Sequence, residues 1–307
     1  MGNRKQLTSG LSMFPNASYS YDANDRLTTD TIDSNGNTTL SGTVSSLYDF
    51  ENHMTSSGPA TIVYDGDGNR VSETVGGATT KYLVDTVNPT GLPQVVDETV
   101  NGAVTRTYAY GLQRISENQL AGSTWTPSFY GYDGHGNVRF LTSSAHSVTD
   151  TYQYDAFGRI IAVTGSTPNN FKYSGEWLDS NVGLFYLRAR YLNPATGRFW
   201  ARDPVEGKFC CGMSWNPYIY VKDNPVNALD PTGRSALIEG VYVDLGRPLT
   251  SVRTLAWYAC AVEFSWALSA DTVNLVTRPF LGEDTVPEPP LPLTVVCGWV
   301  AIGTGTE

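Results

Sequence analysis

Up to about residue 165 the apolar positions come in short runs rich in Tyr, Thr and Val, each broken by Gly, Asn or Asp. Tyr, Thr and Val suit a pleated, half-buried surface, and Gly with Asn and Asp supplies tight turns. The pattern predicts an all-β fold, and Arg70-Val-Ser-Glu-Thr-Val75 is one of its strands. Downstream the pattern changes. Ser251 to Val276 is compatible with a helix, and Pro287-Glu-Pro-Pro-Leu-Pro292 reads as an extended linker or stop. A short apolar run then covers Leu293 to Ile302. The longest apolar stretch, Leu255 to Leu268, is interrupted by Glu263 and Ser265 and falls short of the roughly 18 to 20 residues that span a bilayer. Its Trp257, Tyr258, Phe264 and Trp266 would suit a membrane interface, but cations are few, so a buried helix is the expected role.

The turns carry a repeated word. Tyr-Asp recurs at Tyr21-Asp22, Tyr48-Asp49, Tyr64-Asp65, Tyr132-Asp133 and Tyr154-Asp155, and the last three extend to Tyr-Asp-x-x-Gly-(Asn/Arg). A strand ends on the Tyr, the Asp caps the turn, and the Gly takes the positive φ that closes it. Between Asp65 and Tyr132 the word decays to Lys81-Tyr82-Leu-Val-Asp85 and Thr107-Tyr-Ala-Tyr-Gly111, while the strand-turn rhythm continues. Self-similarity at roughly 16 to 27 residues predicts stacked repeats of about one hairpin each. A plain β-sandwich shows turns at similar intervals without needing the same words in them. Gly2-Asn3-Arg4 repeats Gly68-Asn69-Arg70, so the chain is expected to start in mid-repeat, its first edge covered by upstream repeats or a shell-completing chain.

Composition narrows the function. A chain of 307 residues, 40% hydrophobic, can bury a core without disulfide staples. The net charge of −10 argues against nucleic acid as a partner. Cys210, Cys211, Cys260 and Cys297 make no disulfide framework, and the vicinal pair lacks zinc spacing, so no metal and no cofactor are expected. The opening Met-Gly-Asn-Arg-Lys-Gln leads into polar residues rather than the apolar run of a signal peptide. A secreted or cell-surface location would therefore use a route with no visible leader.

From Phe171 the motifs become dense: Phe171-Lys-Tyr-Ser-Gly-Glu-Trp-Leu-Asp179, Gly183-Leu-Phe-Tyr-Leu-Arg-Ala-Arg-Tyr191, Thr196-Gly-Arg-Phe199, Arg202-Asp-Pro204, Tyr218-Ile-Tyr220, Asn224-Pro225 and Asp230-Pro-Thr-Gly233. This ordered series closely resembles the core domain of the Rhs (rearrangement hotspot) and YD-repeat family, which includes bacterial polymorphic toxins and Tc-toxin C subunits. The resemblance covers about three quarters of the chain. Residues 1–165 look like YD repeats, 166–234 like the Rhs repeat-associated core, and 235–307 like a variable, partly helical C-terminal tail. It implies antiparallel strands wound into a curved or spiral shell that encloses and delivers a C-terminal payload. A chain this short is expected to form an open sheet sector with the core at one end.

The resemblance also implies aspartyl self-cleavage just after an Asp-Pro-x-Gly-Leu motif. The matching residues are Asp203 and Asp230, with Arg202 able to hold or orient a carboxylate. Such chemistry needs two carboxylates close enough to share one proton. On residues alone, each Asp reads equally as a turn cap before Pro. Asp223, just past Tyr220, is a second candidate for the partner of Asp203. Here Arg234 stands where the family has Leu, so the cleavage site is Arg234–Ser235, and an apolar subsite would admit Arg only at a desolvation cost.

The tail has eight acidic residues, three Arg, no Lys and no His, which disfavours a His-metal nuclease. Two other readings remain: a non-catalytic structural or cell-surface YD-repeat protein binding carbohydrate through aromatic faces, and a carboxylate-pair hydrolase with an external substrate. The toxin reading implies a secretion apparatus and an immunity protein as partners.

Overall fold

The computed structural model describes residues 2–207, 212–234 and 237–238. The four cysteines, Ser235 and the helix expected within 251–276 lie outside the described residues.

Each Tyr-Asp word folds into the same turn. At Asp65, Oδ1 accepts the backbone N–H groups of Asp67 (3.0 Å) and Asn69 (2.8 Å), and the Asp65 N–H donates to Asn69 O at 2.9 Å. Gly68 closes the turn at φ +79°, the left-handed region that costs a Cβ dearly. Asp22, Asp49, Asp133 and Asp155 make both side-chain bonds in the same way.

Between the turns run antiparallel strands. β1 (Gln6–Leu7) and β2 (Ala17–Ser18) pair with each other. Next come β3 (Thr31–Ile32), β4 (Thr38–Ser41), β5 (Val44–Tyr48), β6 (Met54–Ser57), β7 (Ala60–Tyr64) and β8 (Arg70–Val75). The series continues through β9 (Ala78–Asp85), β10 (Gln94–Val100), β11 (Ala103–Tyr110), β12 (Arg114–Ala121) and β13 (Thr124–Tyr132). It closes with β14 (Val138–Ser143), β15 (Val148–Tyr154) and β16 (Ile160–Thr164). β3 to β16 form one 14-stranded sheet in which every strand pairs with its neighbours in sequence. The all-β expectation holds, as an open meander of hairpins.

The repeated tyrosine has a second task. Tyr48 Oη donates to Thr38 O (3.0 Å), Tyr64 to Met54 O (3.0 Å), Tyr132 to Arg114 O (2.8 Å) and Tyr154 to Val138 O (2.9 Å). Each acceptor is the first residue of the preceding strand, so one turn is tied to the exit of the turn before it. Tyr21 makes the same bond to Arg4 O at 2.7 Å, and Gly2 has φ +76°. Gly2-Asn3-Arg4 thus has the geometry of a turn exit, as its likeness to Gly68-Asn69-Arg70 suggests. Replacing Tyr154 by Phe removes one such tie and is expected to cost about 1 kcal/mol, read as a lower urea midpoint with unchanged m-value.

Within residues 166–234, β17 (Trp177–Asp179), β18 (Leu184–Leu187), β19 (Arg190–Asn193) and β20 (Arg198–Phe199) form a second antiparallel sheet. This region lies across the meander, which corrects the expectation of a core at one end. Near one edge, Thr38 N–H donates to Trp200 O at 2.8 Å; near the other, Val138 N–H donates to Lys172 O at 3.0 Å. Between these points Met54, Ala60 and Ile62 pack with Leu184, Tyr191 and Trp200. Tyr82 and Tyr108 pack with Phe171 and Trp177, and Tyr154 and Phe157 lie against Tyr173, Phe185 and Leu192. Strand alternation gives β6 to β15 one broad inward face, aliphatic and aromatic at Met54, Ile62, Tyr82 and Tyr108 and charged at Arg70, Glu73, Arg106 and Arg114. The region across it removes the apolar part from water and supplies Arg70 and Arg114 with partners in Asp179 and Gly175 O.

A buried ion pair crosses this interface. Arg70 of β8 pairs with Asp179 of β17 at 2.9 Å, both almost wholly buried, and its guanidinium lies 4.7–5.0 Å from the ring centres of Tyr82, Trp177 and Tyr186. Among the described residues no helix is long and apolar enough to cross a membrane.

Candidate functional site

Two turns meet at the far side of the second sheet. One is the tight hairpin Leu187-Arg188-Ala189-Arg190 between β18 and β19, with Arg188 at φ +56°. The other is Asp230-Pro-Thr-Gly-Arg234, which lies between β21 (Ala228–Leu229) and β22 (Leu237–Ile238), themselves paired. The first grips the second carbonyl by carbonyl. Arg188 Nη1 donates to Pro231 O, Ala189 N–H to Thr232 O at 3.3 Å, and Arg190 Nε to Gly233 O. Gly233 is needed for this approach. Its φ is +68°, and a Cβ there would stand 2.2 Å from Leu187 O.

The turn also holds itself. Asp230 Oδ1 accepts Thr232 Oγ1 and the Arg234 N–H, both at 3.1 Å, in the manner of the Tyr-Asp turns. The next peptide along is Arg234–Ser235, the expected cleavage site, and its Ser235 half is outside the described residues.

Asp203 and Asp230 do come together, through Arg190. Arg190 Nη2 lies 2.7 Å from Asp203 Oδ2 and 3.6 Å from Asp230 Oδ2. Its Nη1 donates to Pro217 O at 3.1 Å, and the guanidinium sits 3.6 Å from the centre of the Phe199 ring. Asp203 Oδ1 accepts the Val205 N–H at 2.8 Å. Arg190 and Asp230 are buried, whereas Asp203 keeps about a fifth of its side chain in solvent. Burial pushes the Asp203 carboxyl above its ordinary pKa, and Arg190 and Arg234 pull it part of the way back. The same burial lowers Arg190, against the opposing pull of Asp203 and Asp230.

Arg202 is elsewhere. It is exposed, its N–H donates to Gly36 O at 3.1 Å, and its side chain runs beside Gly36 towards Tyr218. The guanidinium on the carboxylates is therefore Arg190, one of the arginines in the Gly-Leu-x-Tyr-x-Arg-x-Arg-Tyr motif. Asp223 is also apart from the pair, and the charges that act on it are those of Arg198 and Arg4. Arg234 is exposed, while the apolar cavity beside Asp230, walled by Phe185, Leu187 and Tyr220, has room for about one water (≈ 10 Å³). Arg234 thus meets no desolvation penalty here.

No family model matches the chain. Over 252 residues it is 33% identical to the tRNA3(Ser)-specific nuclease WapA of Bacillus spizizenii, an alignment covering 76% of this chain and 10% of that protein. It is 32% identical over 250 residues to the tRNA nuclease WapA of Bacillus subtilis, with the same two coverages. The chain spans about a tenth of the length of the curated relatives it matches. Among solved structures, the TcdB2–TccC3–Cdc42 complex aligns with a TM-score of 0.60 at 18% identity, over 76% of this chain and 13% of that one. TcdB2–TccC3 without its hypervariable C-terminal region aligns with a TM-score of 0.58 at 19% identity, over the same shares. At that identity the likeness is one of fold.

Proposed function

We propose that the chain is a wall segment of an Rhs-type toxin shell that cuts its own backbone after Arg234, a reading supported by its 32–33% identity to the WapA nucleases and its likeness of fold to TcdB2–TccC3. The shell would enclose and deliver a C-terminal payload, beginning at Ser235, out of the producing cell. One observation supports the cleavage reading above the others. Asp203 and Asp230 share one guanidinium, and the carbonyls of residues 231, 232 and 233 are all held, so the Arg234 carbonyl is the next in line.

The chemistry assigns each group a part. Burial favours the protonated form of Asp203, so in this reading Asp203 is the acid once Arg190 has drawn back from it, and Asp230, at the scissile turn, is the base. A water gives a proton to Asp230 as its oxygen bonds to the Arg234 carbonyl carbon, and Asp203 gives a proton to the carbonyl oxygen. The tetrahedral intermediate then breaks its C–N bond: one of its two hydroxyls returns a proton to Asp203 as the new carboxyl group forms, and the Ser235 nitrogen leaves with the proton from Asp230. Arg190 stands between the two acids at rest and must draw back from one of them for that oxygen to face water.

Intact-mass measurement tests this. The parent is expected as two species divided at residue 234, while Asp203→Asn and Asp230→Asn stay at 33.4 kDa, at least about 100-fold slower to divide. A single 33.4 kDa species throughout, under conditions where the parent is folded, leaves a shell segment whose Asp residues serve turns only.

A further inference from the structure

The turn at Asp49 departs from its siblings. In the turns at Asp65 and Asp133 the fifth residue is Asn69 or Asn137, whose Nδ2 donates to the Asp carboxylate at 3.0 and 2.9 Å. In Tyr48-Asp-Phe-Glu-Asn-His53 that place is taken by His53, with Glu51 two residues before it. His53 Nδ1 lies 3.2 Å from Asp49 Oδ2 and 3.8 Å from Glu51 Oε2, and the three groups converge within 4.8 Å of one another.

Two of the three are held in place. Asp49 commits Oδ1 to the N–H groups of Glu51 and His53, both at 2.9 Å, which turns Oδ2 toward the imidazole. The His53 ring stacks on Tyr64 with centroids 4.8 Å apart, and its Nε2 lies against Gly68, where a Cβ would stand 3.0 Å away. The ring therefore presents Nδ1 to the carboxylates and Nε2 to Gly68. Glu51, about half exposed, can adjust its reach. The cluster opens onto a cleft of about 500 Å³, also lined by Thr55, Ile62 and Asp65, with space for water ligands.

We infer that Asp49, Glu51 and His53 form a binding site for a first-row divalent cation of the zinc type, through one oxygen of each carboxylate and imidazole Nδ1. Two carboxylates drawn this close in a chain of net charge −10 repel one another, and a cation between them reverses the sign of that interaction. One imidazole with two carboxylates suits Zn²⁺ better than Ca²⁺, which gathers six to eight oxygens. The backbone bonds to Asp49 and the stacking under His53 are the outer supports that orient ligands in such sites. The absence of metal expected above rested on cysteine spacing, which does not bear on this turn.

Calorimetric titration of the metal-stripped full chain with Zn²⁺ should show an equivalent of bound metal that His53→Asn weakens at least about tenfold. The thermal midpoint of metal-free His53→Asn should stay at that of the parent, because Asn is the residue that the turns at Asp65 and Asp133 carry at this place. Co²⁺ in place of Zn²⁺ should give visible bands of nitrogen and oxygen ligation that are lost in His53→Asn, without thiolate charge-transfer absorption. Binding untouched by His53→Asn, or carrying a thiolate signature alone, would put the cation elsewhere and overturn the site. No heat with Zn²⁺ would reduce the cluster to a hydrogen-bonded turn.

Discussion

Replacing Arg190 by methionine is expected to cost on the order of 3–5 kcal/mol of stability, because it leaves two partly or wholly buried carboxylates facing each other without a cation. The side chain loses ion pairs to Asp203 and Asp230, bonds to Pro217 O and Gly233 O, and its seat on Phe199. Methionine keeps most of the volume, so the loss is electrostatic. The pH dependence identifies the cause. The Asp203 carboxyl is already raised by burial, so its contribution to stability is fully present below the unfolded aspartate value and is lost as pH rises through its folded value. Without Arg190 to pull it back, that value climbs further and the loss deepens. The deficit of Arg190→Met should therefore be small near pH 4 and largest near pH 7, about where both unfolded carboxyls are ionised. Urea midpoints at the two pH values measure it. A deficit that does not grow with pH would mean that Arg190 acts by packing alone.

Arg70→Met should be nearly as costly, again about 3–5 kcal/mol, and here the damage falls on the seam between the two sheets. Asp179 would keep the N–H groups of Asn181 (3.1 Å) and Val182 (3.3 Å), which hold it in place. Glu73 is already raised, first by burial and then by Asp179, with Arg70 opposing both. Removing Arg70 leaves two acids in a space ringed by Tyr82, Trp177 and Tyr186. Adding Asp179→Asn to Arg70→Met should recover much of the loss, a coupling of about 1–3 kcal/mol in a double-mutant cycle. Additive single effects would show that the two side chains are independent and that the seam rests on its apolar contacts.

What could be read from the chain beforehand follows from where each interaction finds its partner. The Tyr-Asp-x-x-Gly turns were legible because all of their bonds close within five residues: Asp65, Asp67, Gly68 and Asn69 need nothing from elsewhere. The tyrosine's reach to the preceding strand was not legible, because its acceptor is a carbonyl that any residue supplies. The decay of the word at Tyr82 also has a local cause, since Tyr82 Oη bonds Glu73 Oε2 at 3.1 Å rather than a backbone carbonyl. At the candidate site, Asp203 and Asp230 could be named from their motifs, but their cation could not. Arg202 adjoins Asp203 in sequence, yet its side chain lies beside Gly36; Arg190, 13 positions upstream of Asp203, arrives only when the β18–β19 hairpin folds over the Asp230 turn. The placement of the core across the sheet was hidden for the same reason. It depends on how many inward faces line up side by side, which no single strand records.

The ladder of tyrosine hydroxyls carries one more consequence. Its acceptors are the main-chain oxygens of Thr38, Met54, Arg114 and Val138, residues with nothing in common as side chains. A unit that is duplicated, deleted or imported from a relative meets its neighbour through the same atoms whatever its composition. Recombination in whole turns can therefore lengthen or shorten such a sheet, wherever the tyrosine is kept, without a compensating substitution at each tyrosine bond.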